Sequence, residues 1–175
     1  MLLYHPAFDI HHCMFRVLTL LKSLASRPYE KQRILILDFY LIFPYELSTA
    51  QFPNQFRSAR SKLREMENAY EEVSDPKRLF QRILPYQEAA LECLAAYNLI
   101  SPELLRDRDE VSRTAVPIPD ELAEQITKAT TIRKTELEVL ITVFQDLELT
   151  GPKGLKKRTD LFESRYDIVS SIPLS

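Results

Sequence analysis

Glycine is absent from the first 150 residues of this 175-residue chain, and the two glycines present are Gly151 and Gly154. Glycine supplies positive φ angles and lets the backbone approach a phosphate closely. A Rossmann-type glycine-rich turn is therefore excluded over those residues, and tight hairpins should be scarce. Eleven prolines fall mostly between periodic apolar segments. Together these features predict a mainly α-helical protein whose helices are separated by prolines.

The composition is that of a globular protein, with 45% hydrophobic and 27% charged residues. The net charge is −2, so any contact with nucleic acid would depend on local basic patches. The N-terminus lacks the basic start and apolar core of a signal peptide. The longest apolar run, residues 34–43, is too short for a membrane span. We therefore expect a cytoplasmic protein.

Hydrophobic periodicity predicts the first helices. Asp9 is a good N-cap for a helix that ends near Ser26. Its apolar stripe consists of Ile10, Cys13, Met14, Val17, Leu18, Leu21 and Leu24. Residues 29–47 could form a buried strand by composition, but the spacing of their polar residues favours a buried helix that Pro44 kinks or ends.

Further helices are predicted at residues 56–73, 75–84, 86–97, 120–129 and 133–147. Pro85 separates the second of these from the third, and Asn98 is suited to a left-handed C-cap. Residues 99–119 are predicted to be irregular, with a short strand near Val111. A basic loop, GPKGLKKRT, precedes the C-terminal tail.

The order of predicted elements is typical of a winged helix-turn-helix module. Three helices are followed by the segment ALECLAAYNLI and then by a predicted hairpin. Leu99 and Ile100 would be the apolar pair that begins the wing. We therefore predict a helical, winged-helix-like domain with a short β hairpin at residues 1–118. A C-terminal helical lobe with the basic loop and tail follows at residues 119–175, and the two form one compact unit. This fold serves protein contacts as often as DNA contacts, so it does not decide the function.

The sequence offers no convincing catalytic, metal or cofactor site. His11, His12 and Cys13 are consecutive, and on a helix they point about 100° apart, so they cannot converge on one zinc ion. Cys13 lies on an apolar stripe, which is unsuited to a nucleophile. Asp38 lies inside an apolar run and must be paired if it is buried. Arg16 and Arg33 are its candidate partners, and a structural ion pair is favoured over a catalytic acid.

We predict a structural polar network that comprises Asp9, His12, Arg16 and Asp38. His12 should point to an interface or to a partly buried polar network, whereas His11 should face solvent.

The basic loop does not match a nucleotide-binding loop. A Walker motif has four residues between its glycines, whereas two residues separate Gly151 from Gly154. The loop nevertheless concentrates positive charge at Lys153, Lys156, Lys157 and Arg158. Either it is a solvated loop, or it contacts a phosphate backbone or an acidic protein surface.

A second basic group lies on the helix predicted at residues 56–73. Arg57, Arg60 and Arg64, followed by Glu67 and Glu71, fall on one helical face. Arginines in a first turn oppose the helix dipole, which suggests that they contact a partner or DNA. The alternative is that Arg64 simply pairs with Glu67.

Three stretches resemble one protein family: LLYHPAFDIHHCMFRVLTLL, RILILDFYLIFP and GLKKRTDLFESRYDIV. They are similar to the small middle component of bacterial ABC-three-component systems, the class that includes Lamassu-type antiphage defence. A small residue often stands in that family where this chain has Asp160.

The resemblance implies an accessory or regulatory subunit without chemistry of its own. Its partners would be an SMC/ABC-like ATPase and an effector, often a nuclease, in a complex that senses foreign DNA. Neither a membrane nor a small-molecule substrate is implied. The alternative is a free-standing winged-helix transcriptional regulator that binds DNA.

The purified chain should neither bind ATP tightly nor hydrolyse it, because it lacks a phosphate-cradling loop. Isothermal titration calorimetry and a phosphate-release assay check this expectation. Stoichiometric ATP binding would contradict it.

Overall fold

A computed structural model of the protein describes residues 5–64 and 75–162. Most of these residues are helical, which confirms the predicted mainly α class. The helices are α1 (Ile10–Ser23), α2 (Lys31–Ile42), α3 (Pro44–Leu47), α4 (Arg57–Arg64), α5 (Pro76–Ala96), α6 (Pro102–Arg108), α7 (Asp120–Ile132), α8 (Lys134–Val139) and α9 (Leu155–Thr159). Short 3-10 turns occupy Pro6–Phe8 and Asn54–Phe56, and a π-helical turn, Leu140–Phe144, continues α8.

The centre of the core is α2. Every residue from Arg33 to Ile42 is buried, because α1, α3, α5 and a small sheet pack around this helix. A helix that is apolar on all sides is one that lies inside a protein. The choice of a helix over a strand for residues 34–43 is therefore confirmed. Among the helices of the described ranges, none has the length and hydropathy needed to cross a bilayer.

A small antiparallel sheet lies beside α2. Strand β1 (Tyr29–Glu30) pairs with β2 (Glu110–Val111), with Tyr29 opposite Val111. The strand predicted near Val111 is thus present, but its main partner comes from the segment between α1 and α2.

The segment after α5 contains a helix that the sequence analysis did not predict. Helix α6 forms because Ser101 caps it by accepting the Leu104 N–H at 3.2 Å and Pro102 occupies its first position. An isolated β-bridge joins Ile100 to Arg113, so the chain on the two sides of α6 is paired. The prediction of irregular structure throughout residues 99–119 is wrong for this helix.

Pro85 does not separate two helices. It lies within the continuous helix α5, so the predicted break is wrong. The apolar stripe of α5 runs through this point, since Ile83 and Ala90 are both buried while Pro85 itself is exposed. Packing of that stripe outweighs the missing hydrogen bond and the steric clash of an interior proline, which together typically cost about 3 kcal/mol.

Left-handed backbone positions are filled by residues other than glycine. Asn98, Asp109 and Asp160 have φ angles of 54°, 56° and 51°. Each follows a helix, and asparagine and aspartate tolerate this conformation better than other residues with a Cβ. The predicted C-cap at Asn98 is confirmed.

The other helix predictions hold with altered ends. Helix α7 extends to Ile132, and α8 passes into the π-helical turn after Val139. Helix α4 is described to Arg64, and the remainder of the helix predicted at residues 56–73 lies outside the described residues.

Deleting residues 1–9 should lower the free energy of unfolding by about 1–3 kcal/mol. The deletion removes Ala7, which is fully buried, and Phe8, whose ring meets the Tyr86 ring edge-on at 5.6 Å. It also removes the carboxylate of Asp9, which accepts the His12 N–H at 2.9 Å and caps α1. Urea denaturation measures the loss. The Asp9→Ala variant measures the contribution of the N-cap alone. Unchanged stability of the truncated protein would contradict the prediction.

Candidate functional site

The basic segment GPKGLKKRT forms a tight turn followed by α9. Gly151 has a φ of 90°, which favours glycine. A Cβ atom at Gly154 would lie 2.1 Å from the carbonyl oxygen of Thr150, so only glycine fits there. The Leu155 N–H donates to the Glu148 carbonyl at 2.7 Å, and the Lys156 N–H donates to that of Leu149 at 3.0 Å. The segment is therefore a hydrogen-bonded turn and a short helix.

The four basic residues of this segment have different environments. Lys153 and Lys157 are exposed. Lys156 is 7% exposed, and its Nζ lies 5.4 Å from the centroid of the Phe162 ring. Arg158 is half-buried and donates through Nε to the Lys153 carbonyl at 2.6 Å. Lys153 and Lys157 can reach a partner, whereas Lys156 and Arg158 hold the segment in place.

The arginines of α4 divide in the same way. Arg57 and Arg64 are exposed, and Arg57 donates to the side chain of Asn54 at 3.3 Å. Arg60 is half-buried and donates through Nε to the Ser48 carbonyl at 2.6 Å. Glu67 and Glu71, the acidic half of the predicted row, lie outside the described residues.

Both basic segments are anchored to one connector, residues 48–53. Arg158 donates through Nη1 to the Gln51 carbonyl at 3.1 Å, and the Gln51 N–H donates to the Arg158 carbonyl at the same distance. Arg60 binds the connector at Ser48. We refer to the exposed cations Arg57, Arg64, Lys153 and Lys157 as the basic surface. Its two halves were predicted separately, and no signal in the sequence indicates that one connector joins them.

A buried ion pair lies between α1 and α2. The carboxylate of Asp38 is fully buried and accepts from Arg16, with Nε to Oδ1 at 2.7 Å and Nη2 to Oδ2 at 3.2 Å. Gln87 of α5 donates to Oδ2 at 2.8 Å, and the Cys13 thiol donates to the same oxygen at 3.6 Å. Arg16 also donates to the Pro6 carbonyl at 3.2 Å. This arrangement satisfies a buried charge and suits a structural role.

Cys13 is unsuited to nucleophilic chemistry. Burial, and after it the neighbouring Asp38 carboxylate, raise the pKa of the Cys13 thiol far above its ordinary value. The thiol therefore stays protonated at neutral pH, whereas a nucleophilic cysteine needs its thiolate form. Gln87 is the member of this cluster that the sequence analysis missed, although a glutamine on the apolar stripe of α5 was a visible signal.

Arg33, the other candidate partner of Asp38, binds elsewhere. Its Nε donates to the Glu30 carboxylate at 2.8 Å, and this hydrogen bond lowers the pKa of Glu30. Its guanidinium also donates to the carbonyls of Phe144 at 2.8 Å and Leu147 at 2.6 Å. Arg33 is 4% exposed, so its guanidinium is largely shielded from water. The bonds to Phe144 and Leu147 cross the boundary predicted between residues 118 and 119, and that division stays a prediction.

Two contacts within the predicted four-residue polar network are present among the described residues, and the network as a whole stays a prediction. Arg16 and Asp38 bind each other, whereas Asp9 caps α1 through the His12 N–H. The His12 side chain is exposed at the mouth of a cleft that Arg16 also lines. Among residues 5–64 and 75–162, no group of three histidine, cysteine, aspartate or glutamate residues is placed to hold a metal ion.

These features define a mainly helical protein with a buried ion pair at its centre and with exposed cations on two segments that are anchored to one connector. The chain belongs to the family described as ABC-three component (ABC-3C) system Middle Component 5, whose model matches residues 2–167. Neither a curated protein nor a solved structure matches it. As a middle component, the protein is an accessory subunit of a multi-component system, which implies partner subunits.

Asp38→Ala should lower the free energy of unfolding by about 3–5 kcal/mol, because it leaves the Arg16 guanidinium buried without its counter-ion. The matched control is Asp146→Ala, which breaks an exposed pair with Arg27 and should cost about 0–1 kcal/mol. Urea denaturation measures both variants. Equal losses would mean that Arg16 finds water or another acceptor when Asp38 is absent.

Proposed function

We propose that this protein is a non-catalytic accessory subunit of a bacterial antiphage or anti-plasmid defence complex of the Lamassu type. It bridges an SMC/ABC-like ATPase and an effector, often a nuclease, in the cytoplasm. Membership of the ABC-3C middle component family, over residues 2–167, is the observation that carries this proposal.

The side chains best suited to chemistry support a non-catalytic role. Asp38 is fully buried, and its carboxylate accepts from Arg16, Gln87 and Cys13. A general acid or base must instead reach the proton of a substrate. The raised pKa of the Cys13 thiol argues equally against a nucleophile.

The basic surface is the proposed contact with the ATPase. Lys153 and Lys157 are exposed, and the ordered turn and short helix that carry them present both charges from a fixed backbone. Their partner is an acidic face of the ATPase or duplex DNA held in the complex. If the partner is DNA, the logarithm of the affinity should fall linearly with the logarithm of the salt concentration, because each neutralised phosphate releases counterions.

The strand pairing supports a winged-helix-like module. Beyond the Ile100–Arg113 bridge, the Ser101 N–H donates to the Ser112 carbonyl at 3.0 Å, and the Thr114 N–H donates to that of Leu99 at 3.2 Å. The segment after α5 thus pairs with the β2 segment, which pairs with β1. In a winged-helix module the sheet has this order, and α6 stands where the wing would be.

The same pairing favours the alternative of a free-standing DNA-binding regulator, in which α5 would enter the major groove. The exposed Arg78 and Arg82 of α5 suit that role. Glu88 and Glu92 are also exposed on α5 and would repel phosphates, so we favour a protein contact for this module.

Replacing Lys153 and Lys157 with glutamate should leave the fold intact, because both side chains are exposed. The double variant should bind the ATPase subunit of the same system roughly tenfold more weakly, mainly through slower association. Surface plasmon resonance at several salt concentrations, with and without duplex DNA, measures this effect.

The matched control reverses two exposed cations of α6, Arg106 and Arg108, and thus changes the net charge equally. The control should assemble normally with the ATPase. If Arg78→Glu/Arg82→Glu on α5 instead abolishes duplex DNA binding by the isolated chain while Lys153→Glu/Lys157→Glu has no effect, the alternative of a DNA-binding regulator is favoured. Normal assembly and activity of the lysine double variant would leave the basic surface without a role.

A further inference from the structure

A cleft of about 260 Å³ lies between α1, the C-terminal end of α2 and the junction of α7 with α8. Its apolar walls include Phe15, Leu41 and Ile42. Arg16 and Arg133 line it as well, with His12 at its mouth. These residues lie on helices other than α4 and α9, so the cleft is distinct from the basic surface.

Arg133 gives the cleft a positive charge that none of the described residues lining it neutralises. The residues that line it include two arginines and neither an aspartate nor a glutamate. The Asp38 carboxylate beneath it is already bound by Arg16, Gln87 and Cys13. Because the Arg16–Asp38 pair is neutral as a whole, the uncompensated positive charge at this apolar cleft is that of Arg133. Such a site complements a carboxylate that carries an apolar group.

Arg133 is the group placed to receive that carboxylate. It is half-buried at the start of α8, and its Nη1 donates to the Leu41 carbonyl at the end of α2. This bond fixes the guanidinium at the cleft, while Nε and Nη2 have no acceptor within residues 5–64 and 75–162. A fixed guanidinium with free donors binds a carboxylate with little loss of side-chain entropy.

Ile132, the residue before Arg133, is 82% exposed. It is the last residue of α7, and Ala129, one turn earlier on that helix, lines the cleft. An exposed aliphatic side chain beside an apolar cleft and an arginine has the composition of an interface centre. A small ligand held inside the cleft would leave Ile132 in water, whereas a peptide segment would cover it.

We propose that this cleft binds an acidic and apolar segment of a partner protein. A leucine or phenylalanine side chain enters between Phe15 and Ile42, and an adjacent carboxylate pairs with Arg133. Ile132 packs on the outside of the bound segment. The inference adds to the proposed function the second contact face that a bridging subunit requires, and it can be tested without the basic surface.

Blocked hexapeptides that place leucine or phenylalanine beside two glutamates are the probe. They are titrated into the full-length, ¹⁵N-labelled protein, and amide shifts are followed by NMR. The shifts should centre on residues 129–133 and on α1. Peptides with lysine in place of glutamate, or alanine in place of the large apolar residue, should bind at least tenfold more weakly, because each lacks one half of the recognised pair.

Two variants test the cleft itself. Arg133→Glu should weaken binding of the acidic peptides at least tenfold, whereas Lys134→Glu, an equal charge change at the next and exposed residue, should leave it unchanged. Ala129→Leu should block binding by filling the cleft without altering any charge. Circular dichroism and thermal unfolding of each variant establish that it is folded.

Several outcomes would overturn the proposal. Equal weakening by Lys134→Glu would reveal non-specific attraction between charges. Binding of 3-methylbutanoate at the same residues and as tightly as the peptides would assign the cleft to a small carboxylate. Concentration-dependent dimerisation that Ala129→Leu abolishes would assign it to a second copy of the chain. Absence of any peptide binding by the folded wild-type protein would leave the cleft without this role.

Discussion

The pairing of Arg16 with Asp38 holds the three central helices together. Arg16 lies on α1, Asp38 on α2, and Gln87 of α5 completes the set of donors to the carboxylate. Removing one partner of a buried pair is far more costly than replacing both by apolar groups. Other rotations or shifts of these helices would therefore leave the charge of Arg16 or Asp38 buried without its partner. The apolar contacts of α2 stabilise the core without direction, and the ion pair makes one arrangement of the helices the favourable one.

Arginine side chains bind several carbonyl groups at helix ends in this protein, where other proteins commonly have a left-handed glycine. Carbonyl groups at the end of a helix lack intrahelical partners, and a left-handed glycine commonly resolves this. Here guanidinium groups of other elements donate to such carbonyls. The pairs at helix ends are Arg133 with Leu41, Arg60 with Ser48, and Arg33 with Phe144. Arg33 also donates to the Leu147 carbonyl, which lies beyond the helix end. Each of these hydrogen bonds joins separate elements. The near absence of glycine is thus accompanied by tertiary hydrogen bonds at helix ends.

Local signals predicted the helices well, and tertiary contacts account for the errors. The apolar stripe of α1 and the helical spacing of the polar residues in and beside α2 were sufficient to place both helices. The break predicted at Pro85 was wrong because other helices bury Ile83 and Ala90, and this burial keeps α5 continuous. For the candidate site, residue types narrowed the partners of Asp38 to two arginines, but spacing alone could not choose Arg16. The connector shared by Arg60 and Arg158 depends on a contact between residues 107 positions apart, Gln51 and Arg158, which no periodicity encodes.

The bonds of Arg33 also bear on the order of events at the ribosome. Its carbonyl acceptors at Phe144 and Leu147 lie 111 and 114 residues further along the chain. Until Phe144 and Leu147 have been synthesised, the Arg33 guanidinium lacks two of its acceptors. The N-terminal part of the chain cannot bury it with all of its hydrogen bonds made. Loop closure over such separations is slow, and partly folded intermediates expose apolar surface meanwhile. We therefore expect the polar contacts of α2 to be completed late, after residues 144–147 have emerged from the ribosome.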